Sequence, residues 1–425
     1  MVGVKGLKPS TSRSQTERAI NCATPRNSLG ILYLVMAQMK SSTLTYFSCL
    51  PRYPLLPYTG GYMERPIFSD AAEGARCPFT RDNDTSETVL SSNTAYLREM
   101  RINPLAPAAN FRRVTPPNET PREGERFVPW FDPDDELAAA VVLRKEIFLA
   151  HQEQVLYEGK KKQRAAIRAA SQQLLELQSA YLVAHFPDQY GFEDDPTYGK
   201  LIVNKTTDDK FCVYPTEDDW HPLAICGLLG QDDICVVEQQ PDGRQVFVAG
   251  FLATPTNWSL SNFVNRDMDE IHINIDGYHT PAPGSRTRLK DTLDRSLESL
   301  PEYPVRQIGR NNIFLATDPS LPLDPKRPTS FESEPITDPG SQIYLRSERE
   351  TLTRLPSTEQ YPDNNRFIIF TIKPNVFALS HVANERRDDM LAALRTNTVL
   401  RGRKKLAKKA LAYLAESAPI TPDNE

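Results

Sequence analysis

The chain has 425 residues, of which 39% are hydrophobic, and its 50 basic and 55 acidic residues give a formal net charge of −5. That hydrophobic content suffices for a buried core. The slight acidity argues against a general nucleic-acid binder, because binding to phosphates requires a basic surface. The six cysteines form no CxxC pair and are too sparse for a disulfide framework, so we expect reduced thiols and no structural zinc site.

Residues 1–102 lack a sustained hydrophobic period, and we predict a weakly ordered N-terminal extension there. The longest apolar run near the start, 29–37, is about half of the roughly 20 residues that a helical membrane span needs, so no span is predicted. The first forty residues are rich in Ser, Thr, Lys and Arg, with Glu17 the only acid. This composition resembles a transit peptide, so mitochondrial import is kept as the minority alternative to a disordered tail on an intracellular, cytoplasmic protein.

Regular structure is predicted after a proline-rich, extended lead-in over residues 103–133. Acidic residues that follow Pro133 favour a helix start, and the first helix is predicted to end at Gly159. The later predicted elements are, in chain order, a helix over 161–184, a hairpin of strands 234–238 and 245–252, helices over 260–270 and 286–300, strands 313–315, 343–346 and 366–372, and a C-terminal helix over 386–416 with a break near 396–402.

This order of elements, with antiparallel pairing of the strands, is typical of an α+β fold and not of the regular βαβ alternation of a Rossmann protein. We predict one domain over residues 103–395 with helices flanking an antiparallel sheet. Residues 396–425 are predicted to form a C-terminal helix and tail.

Two histidines, His272 and His279, lie seven positions apart beside a segment stiffened by Pro281 and Pro283. The whole chain has only six histidines. Neutral imidazole is the commonest biological metal ligand and also suits haem iron. A histidine at a helix end is often only a cap or an exposed residue, and the pattern alone leaves both alternatives open.

A second polar group combines Arg310 and Asn312 with the arginine- and glutamate-rich stretch 345–356. Within that stretch, Arg346, Glu348 and Arg349 lie close enough to place two guanidinium forks and a carboxylate around one site. Such forks suit carboxylates, and the alternative is a surface ion-pair network. The chain has no Walker loop, GxGxxG, GxSxG or HExxH motif, so neither a hydrolase nor a dinucleotide-binding enzyme is indicated, and no catalytic residue is assigned.

Taken together, the segments 231–235, 254–260, 271–272 with 281–284, 310–312, 345–356 and 370–373 resemble the haem-dependent oxidative N-demethylase family. The resemblance covers roughly residues 103–394. Its most specific motif is Arg-x-Glu-Arg-x-Thr-Leu-x-Arg-Leu-Pro, at 346–356.

The resemblance implies a PAS-like fold and a haem b bound through a histidine. It also implies oxidation of a small secondary amine with O₂ to a primary amine and formaldehyde, with electrons from NAD(P)H delivered by a separate flavin/iron–sulfur reductase. The residues expected to bind the cofactor are His272, His279, Arg310, Asn312, Arg346, Glu348 and Arg349, with Arg346 and Arg349 neutralising haem propionates. The rival interpretation is a haem- or small-molecule-binding PAS-like sensor or interaction module without catalysis, because a fold does not by itself make an enzyme.

The family keeps its Ile-His-x-Pro-x-Pro-Gly motif contiguous, whereas here the motif is split between His272 and His279. An insertion of seven residues explains the split. Insertions are accommodated more easily in the loop after a helix than inside the helix. We therefore favour His272 as the iron ligand and keep His279 as the second choice.

Overall fold

The computed structural model describes residues 90–100, 112–114, 128–256, 258–272, 279, 288–321, 335–396 and 404–417. The part of the predicted N-terminal extension before residue 90, and the prolines after His279, lie outside these ranges. Within them, no helix is both long enough and apolar enough to cross a membrane.

Two antiparallel sheets form the β part of the fold. The strands are β1 (Arg112–Val114), β2 (Leu156–Tyr157), β3 (Tyr190–Asp195), β4 (Gly199–Asn204), β5 (Asp209–Cys212), β6 (Asp233–Gln239), β7 (Gln245–Phe251), β8 (Gln307–Ala316), β9 (Tyr344–Arg354) and β10 (Phe367–Ala378). The main sheet has seven strands in the order β1-β8-β9-β10-β6-β7-β2, and β3, β4 and β5 form a separate three-stranded sheet. Every pair of neighbouring strands is antiparallel.

Helices cover the sheets. They are α1 (Thr94–Glu99), α2 (Leu137–Ala150), α3 (Gln152–Val155), α4 (Arg164–His185), α5 (Pro222–Leu228), α6 (Leu260–Phe263), α7 (Met268–His272), α8 (Leu289–Glu298), α9 (Pro339–Gln342), α10 (Leu379–Thr396) and α11 (Lys404–Glu416), with a 3-10 turn at Asn364–Arg366. This arrangement confirms the predicted α+β fold with an antiparallel sheet and flanking helices. The likeness to PAS domains stays a prediction.

Side chains alternate between the two faces of the main sheet, and this alternation separates two environments. One face, called the core face below, carries Val236 and the residue paired with it, Ile369, and packs against helices α2, α4 and α5 in the largest hydrophobic cluster. The other, called the cavity face, carries the next pair along, Cys235 and Phe370, and packs against α6, α7 and α8. The site described below lies on the cavity face.

The expectation of little fixed structure before residue 103 is not met for residues 90–100. Helix α1 buries Leu97 and Met100 in a cluster with Phe377 of β10 and residues of α10 and α11. The Tyr96 hydroxyl is 2.7 Å from the Ser347 hydroxyl of β9. The carbonyl oxygens of Leu97 and Met100 accept hydrogen bonds from the Arg386 guanidinium, at 2.8 Å and 3.2 Å. This segment is therefore a packed part of the domain.

The C-terminal helix α11 belongs to the same cluster. Leu406, Ala410 and Leu414 are buried against α9 and α10, and Lys409 Nζ donates to the carbonyl oxygen of Ile336 at 2.6 Å. Both ends of the described chain thus pack together at one end of the sheet.

Candidate functional site

The cavity face of the main sheet encloses one side of a cavity whose empty volume, including space open to solvent, is about 820 Å³. The apolar residues of its wall are Cys235, Val237, Phe247, Trp258, Phe263, Met268, Ile271, Leu293, Leu297, Ile308, Leu352 and Phe370. Among the residues that the structure describes, the others that line the cavity are His272, Arg310 and Glu350, so a small polar group interrupts an apolar wall.

The sequence builds this wall from two periodicities. Strand residues two positions apart, such as Cys235 and Val237, point to the same face of the sheet. Leu293 and Leu297 lie one turn apart on α8 and therefore share one side of that helix. The salt bridge between Lys290 of α8 and Asp269 of α7, at 2.7 Å, joins the two helices that close the cavity.

Helix α7 places His272 on the wall. The helix begins at a capping box, in which the Glu270 N–H donates to Asp267 Oδ1 at 2.8 Å and the Asp267 N–H donates to Glu270 Oε2 at 3.3 Å. His272 is the last residue of this helix and is fully buried. Its Nδ1 lies 2.5 Å from the carbonyl oxygen of Met268.

That hydrogen bond fixes the tautomer of His272, because a carbonyl oxygen only accepts and Nδ1 must therefore carry the proton. Burial lowers the pKa of His272 to about 4, helped by the positive charge of Arg310 and opposed by the Met268 hydrogen bond. The imidazole is thus neutral at physiological pH, and its lone pair is on Nε2. This is the state in which histidine binds a metal, with the other ring nitrogen oriented by a backbone carbonyl.

Arg310 of β8 and Glu350 of β9 are the other polar residues of the wall. The two residues are cross-strand partners, and Arg310 Nε donates to Glu350 Oε2 in a salt bridge. The side chains are only 10% and 3% exposed, so the pair is largely removed from water. Arg310 and His272 line the same cavity, and the positive charge of Arg310 is one of the causes that lower the pKa of the histidine.

The pair uses only part of its hydrogen-bonding capacity. Within the described ranges, Arg310 Nη2 and Glu350 Oε1 are buried and have no hydrogen-bond partner. A buried polar atom left without a partner costs about 1–3 kcal/mol. A guanidinium edge in this state is a ready donor to a carboxylate, which it binds better than a lysine does because of its planar fork.

These features fit a haem group. Haem combines a large apolar ring with two carboxylates, and its iron needs only an axial ligand from the protein, because the macrocycle provides the other nitrogens. The cavity offers an apolar wall, a neutral histidine and an arginine with an open donor. In the ranges that the structure covers, no group of three or more His, Cys, Asp or Glu is placed to hold a bare metal ion.

The predicted residues Asn312, Arg346 and Glu348 lie on the cavity face but outside the cavity wall. Asn312 Nδ2 donates to Glu348 Oε2 at 3.1 Å. Arg346 Nη1 donates to the carbonyl oxygens of Ser320 at 2.9 Å and Asp318 at 3.3 Å. Burial and the neighbouring Glu350 carboxylate raise the pKa of Glu348 to about 7.

Arg349 lies on the core face, on the opposite side of the sheet from the cavity. Its guanidinium donates to the carbonyl oxygens of Pro129 and Trp130, the latter at 3.1 Å, and lies 3.8 Å from Asp132. The structure therefore does not bring Arg346 and Arg349 together around one site. The reason is the strand period: residues three positions apart in a strand point to opposite faces. A haem role for Arg349 stays a prediction that the proposal below does not use.

The two candidate iron ligands differ in their surroundings. His272 is fully buried on the cavity wall, whereas the side chain of His279 is exposed. The segments on either side of His279 lie outside the described ranges. The geometry therefore favours His272 over His279, as the position of the insertion does.

Sequence reasoning missed two kinds of residue in this site. Glu350 lies within the most specific motif, and the spacing of Arg346, Glu348 and Glu350 at every second position is the signal that would have grouped them on one strand face. Other wall residues, such as Val237 of β6 and Leu293 and Leu297 of α8, lie outside every motif segment, because any core position shows the same residue types.

Two comparisons with known proteins bear on this site. No curated protein matches the chain. The family model described as haem-dependent oxidative N-demethylase, alpha subunit-like, matches residues 124–405, which is well over half of the 425-residue chain and includes every residue of the cavity wall. The resemblance predicted from the sequence motifs is confirmed: the chain belongs to the haem-dependent oxidative N-demethylase, alpha subunit-like family, an oxidoreductase family.

Proposed function

We propose that this protein binds haem b in the cavity between the main sheet and helices α6 to α8, and that it oxidatively demethylates a small secondary amine. The observation that carries the proposal is the neutral, fully buried His272 beside Arg310 in an otherwise apolar wall. The family relationship supports the dependence on haem and the reaction type.

In this proposal, His272 Nε2 would bind the haem iron and Arg310 Nη2 would bind a haem carboxylate. Bound haem supplies the site at which O₂ is bound and activated. The Met268 carbonyl holds the imidazole in the tautomer that can ligate, at 2.5 Å from Nδ1. Apolar residues of the wall, among them Phe247 and Phe370, exclude water and favour the methyl groups of a small amine.

The proposed reaction balances as secondary N-methylamine, O₂, NAD(P)H and one proton giving primary amine, formaldehyde, water and NAD(P)⁺. The two electrons reach the protein through a separate flavin/iron–sulfur reductase. The chain has no dinucleotide-binding motif of its own, which fits an external source of electrons.

Haem binding is tested by spectroscopy on matched histidine variants. Protein supplied with haem is expected to show a Soret band that His272→Ala abolishes or shifts, while His279→Ala leaves it largely intact, because only His272 lies on the cavity wall. The opposite result transfers the ligand to His279. An unchanged band in both variants refutes this site.

Turnover is tested on the same protein with dimethylamine, O₂ and a chemical or enzymatic reductant, by measuring formaldehyde. Formaldehyde formation that is lost in His272→Ala supports the demethylase. Stoichiometric O₂ binding without formaldehyde would instead support the sensor module.

A further inference from the structure

A row of buried polar side chains crosses the cavity face of the sheet. On β9, Arg346, Glu348 and Glu350 occupy alternate positions and so point to the same side. On β8, Asn312 is paired with Glu348 and Arg310 with Glu350. The row therefore consists of alternate rungs of one β-ladder, with Glu350 at the cavity and Arg346 at the far end.

The far end of the row meets the half-buried loop 317–321 that follows β8. There the Arg346 guanidinium binds the carbonyl oxygens of Asp318 and Ser320 and lies 3.5 Å from the Thr256 hydroxyl. Thr256 also hydrogen-bonds the Glu348 carboxyl group. These hydrogen bonds lead from the loop to Glu348, whose neighbour on the same strand face, Glu350, lies on the cavity wall.

Glu348 is the central member of the row and is 5% exposed. The charged groups that face it are Glu350 and Arg346 of its own strand, and its hydrogen-bond donors are Asn312 of β8 and Thr256. Within the described part of the chain, no cation lies within salt-bridge distance of its carboxylate, whereas Glu350 has Arg310. Burial and the repulsion from Glu350 raise the pKa of Glu348 to about 7, so the group holds a proton near neutral pH.

We propose that Glu348 stores a proton and delivers it to the cavity through Glu350, which makes it the proton donor for the demethylation. This inference rests on the proposed function, whose balance takes up one proton from solvent for each amine oxidised. The Oε–H bond of Glu348 breaks as an O–H bond forms on the Glu350 carboxylate, and that bond breaks in turn when the proton passes to the oxygen atom of O₂ that leaves as water. The two residues are next neighbours on one strand face, with Cα atoms about 7 Å apart. Solvent at the 317–321 loop then returns a proton to Glu348, and the electrons come from NAD(P)H through the reductase.

Glu348→Gln tests the proposal, because glutamine keeps the size of the side chain and a carbonyl acceptor for Asn312 but cannot release a proton. In wild type, kcat is expected to fall as pH rises through 7, because the donor must be protonated. In Glu348→Gln, kcat at pH 7 is expected to fall at least tenfold and to lose that pH dependence, with KM for the amine and the Soret band unchanged. Glu348→Asp should restore part of kcat, and Glu193→Gln, at an exposed carboxylate, should match wild type.

A second readout does not depend on turnover. Infrared spectra of the protein are expected to show the carbonyl stretch of a buried, protonated carboxylic acid at pH 6 that is lost by pH 8. Burial also raises the pKa of Asp232, to about 6. The contribution of Glu348 is therefore the part of the wild-type band at pH 6 that Glu348→Gln lacks.

The outcomes separate the two proposals. Formaldehyde formation by wild type together with a Glu348→Gln variant of equal kcat and unchanged pH profile refutes the relay alone. An infrared spectrum without the protonated band at pH 6 also refutes it. A wild type that binds haem but forms no formaldehyde refutes the proposed function, and the relay with it.

Discussion

Two sets of buried charged side chains, one on each face of the main sheet, differ in their hydrogen bonds. On the core face, Lys373 Nζ donates to Asp134 Oδ2 at 2.6 Å, and Arg349 donates to backbone carbonyls of the lead-in to α2. On the cavity face, Arg310 Nη2 and Glu350 Oε1 have no hydrogen-bond partner in the ranges that the structure covers. All four side chains lie on the neighbouring strands β8, β9 and β10 and are at most 10% exposed. Burial of charge therefore does not by itself distinguish a structural network from a ligand site.

The difference lies in whether the hydrogen-bonding capacity of the charge is used. A paired buried charge costs several kcal/mol when its partner is removed, since the remaining charge stays in a poorly solvated place. An unpaired polar atom already carries a cost of about 1–3 kcal/mol, which a ligand could offset. Unused capacity beside a cavity therefore indicates function, whereas used capacity indicates stability.

The largest effect is expected from the core face. Arg349→Ala removes the donor to the Pro129 and Trp130 carbonyls and leaves Asp132 and Asp232, at 3.8 Å and 3.9 Å from the guanidinium, without this cation. Loss of one partner from such a buried network costs about 3–5 kcal/mol. We expect a decrease of this size in the free energy of unfolding, measured by chemical denaturation of the haem-free protein.

Arg244→Ala is the matched control for Arg349→Ala. Arg244 pairs with Asp242 at 2.8 Å, but the two side chains are 62% and 54% exposed, and exposed pairs contribute about 0–1 kcal/mol. If both variants lose the same small amount of stability, Arg349 has no structural role and the contrast between the faces fails.

A smaller effect is expected at the N-terminal segment. A chain that starts at residue 90 keeps helix α1, whereas one that starts at residue 103 loses Leu97 and Met100 from the cluster that contains Phe377. We expect the second chain to be less stable than the first by about 2 kcal/mol, roughly the contribution of one fully buried large side chain, because ordering entropy offsets the rest. Thermal unfolding of both chains measures this difference, and equal midpoints would show that α1 contributes nothing.

Much of the fold follows from local sequence patterns. The helices at Leu137–Ala150 and Arg164–His185 and the hairpin of Asp233–Gln239 with Gln245–Phe251 lie where the sequence patterns predicted them. The β3-β4-β5 sheet was not predicted, because exposed and charged residues of β3 such as Glu193 obscure the alternation. Strand β9 was predicted over four residues and spans eleven, since its centre is polar yet buried.

The site was less predictable than the fold. The motif located His272, because the histidine type and its place at a helix end are local properties. The grouping of Arg346 with Arg349 failed, since closeness in sequence does not give the face of a strand when the strand itself is not recognised. The salt bridge between Arg310 and Glu350 could not be predicted locally, because it depends on the pairing of β8 with β9, which joins residues forty positions apart.

The smallest change in stability is expected when the cavity pair is replaced as a unit. The double variant Arg310→Met with Glu350→Met removes a buried ion pair whose partners are only partly satisfied, and such replacements by apolar residues of similar volume are often neutral or stabilising. We expect the free energy of unfolding of the haem-free protein to stay within about 1 kcal/mol of wild type, while haem is retained less well because the donor to its carboxylate is gone.

The single variant Arg310→Met is the control: it leaves the buried Glu350 carboxylate without its cation and should be less stable than the double variant. Denaturation of the haem-free proteins and transfer of haem to an acceptor protein measure the two quantities separately. A double variant that loses as much stability as Arg349→Ala and still retains haem like wild type would show that both faces of the sheet carry structural charges only.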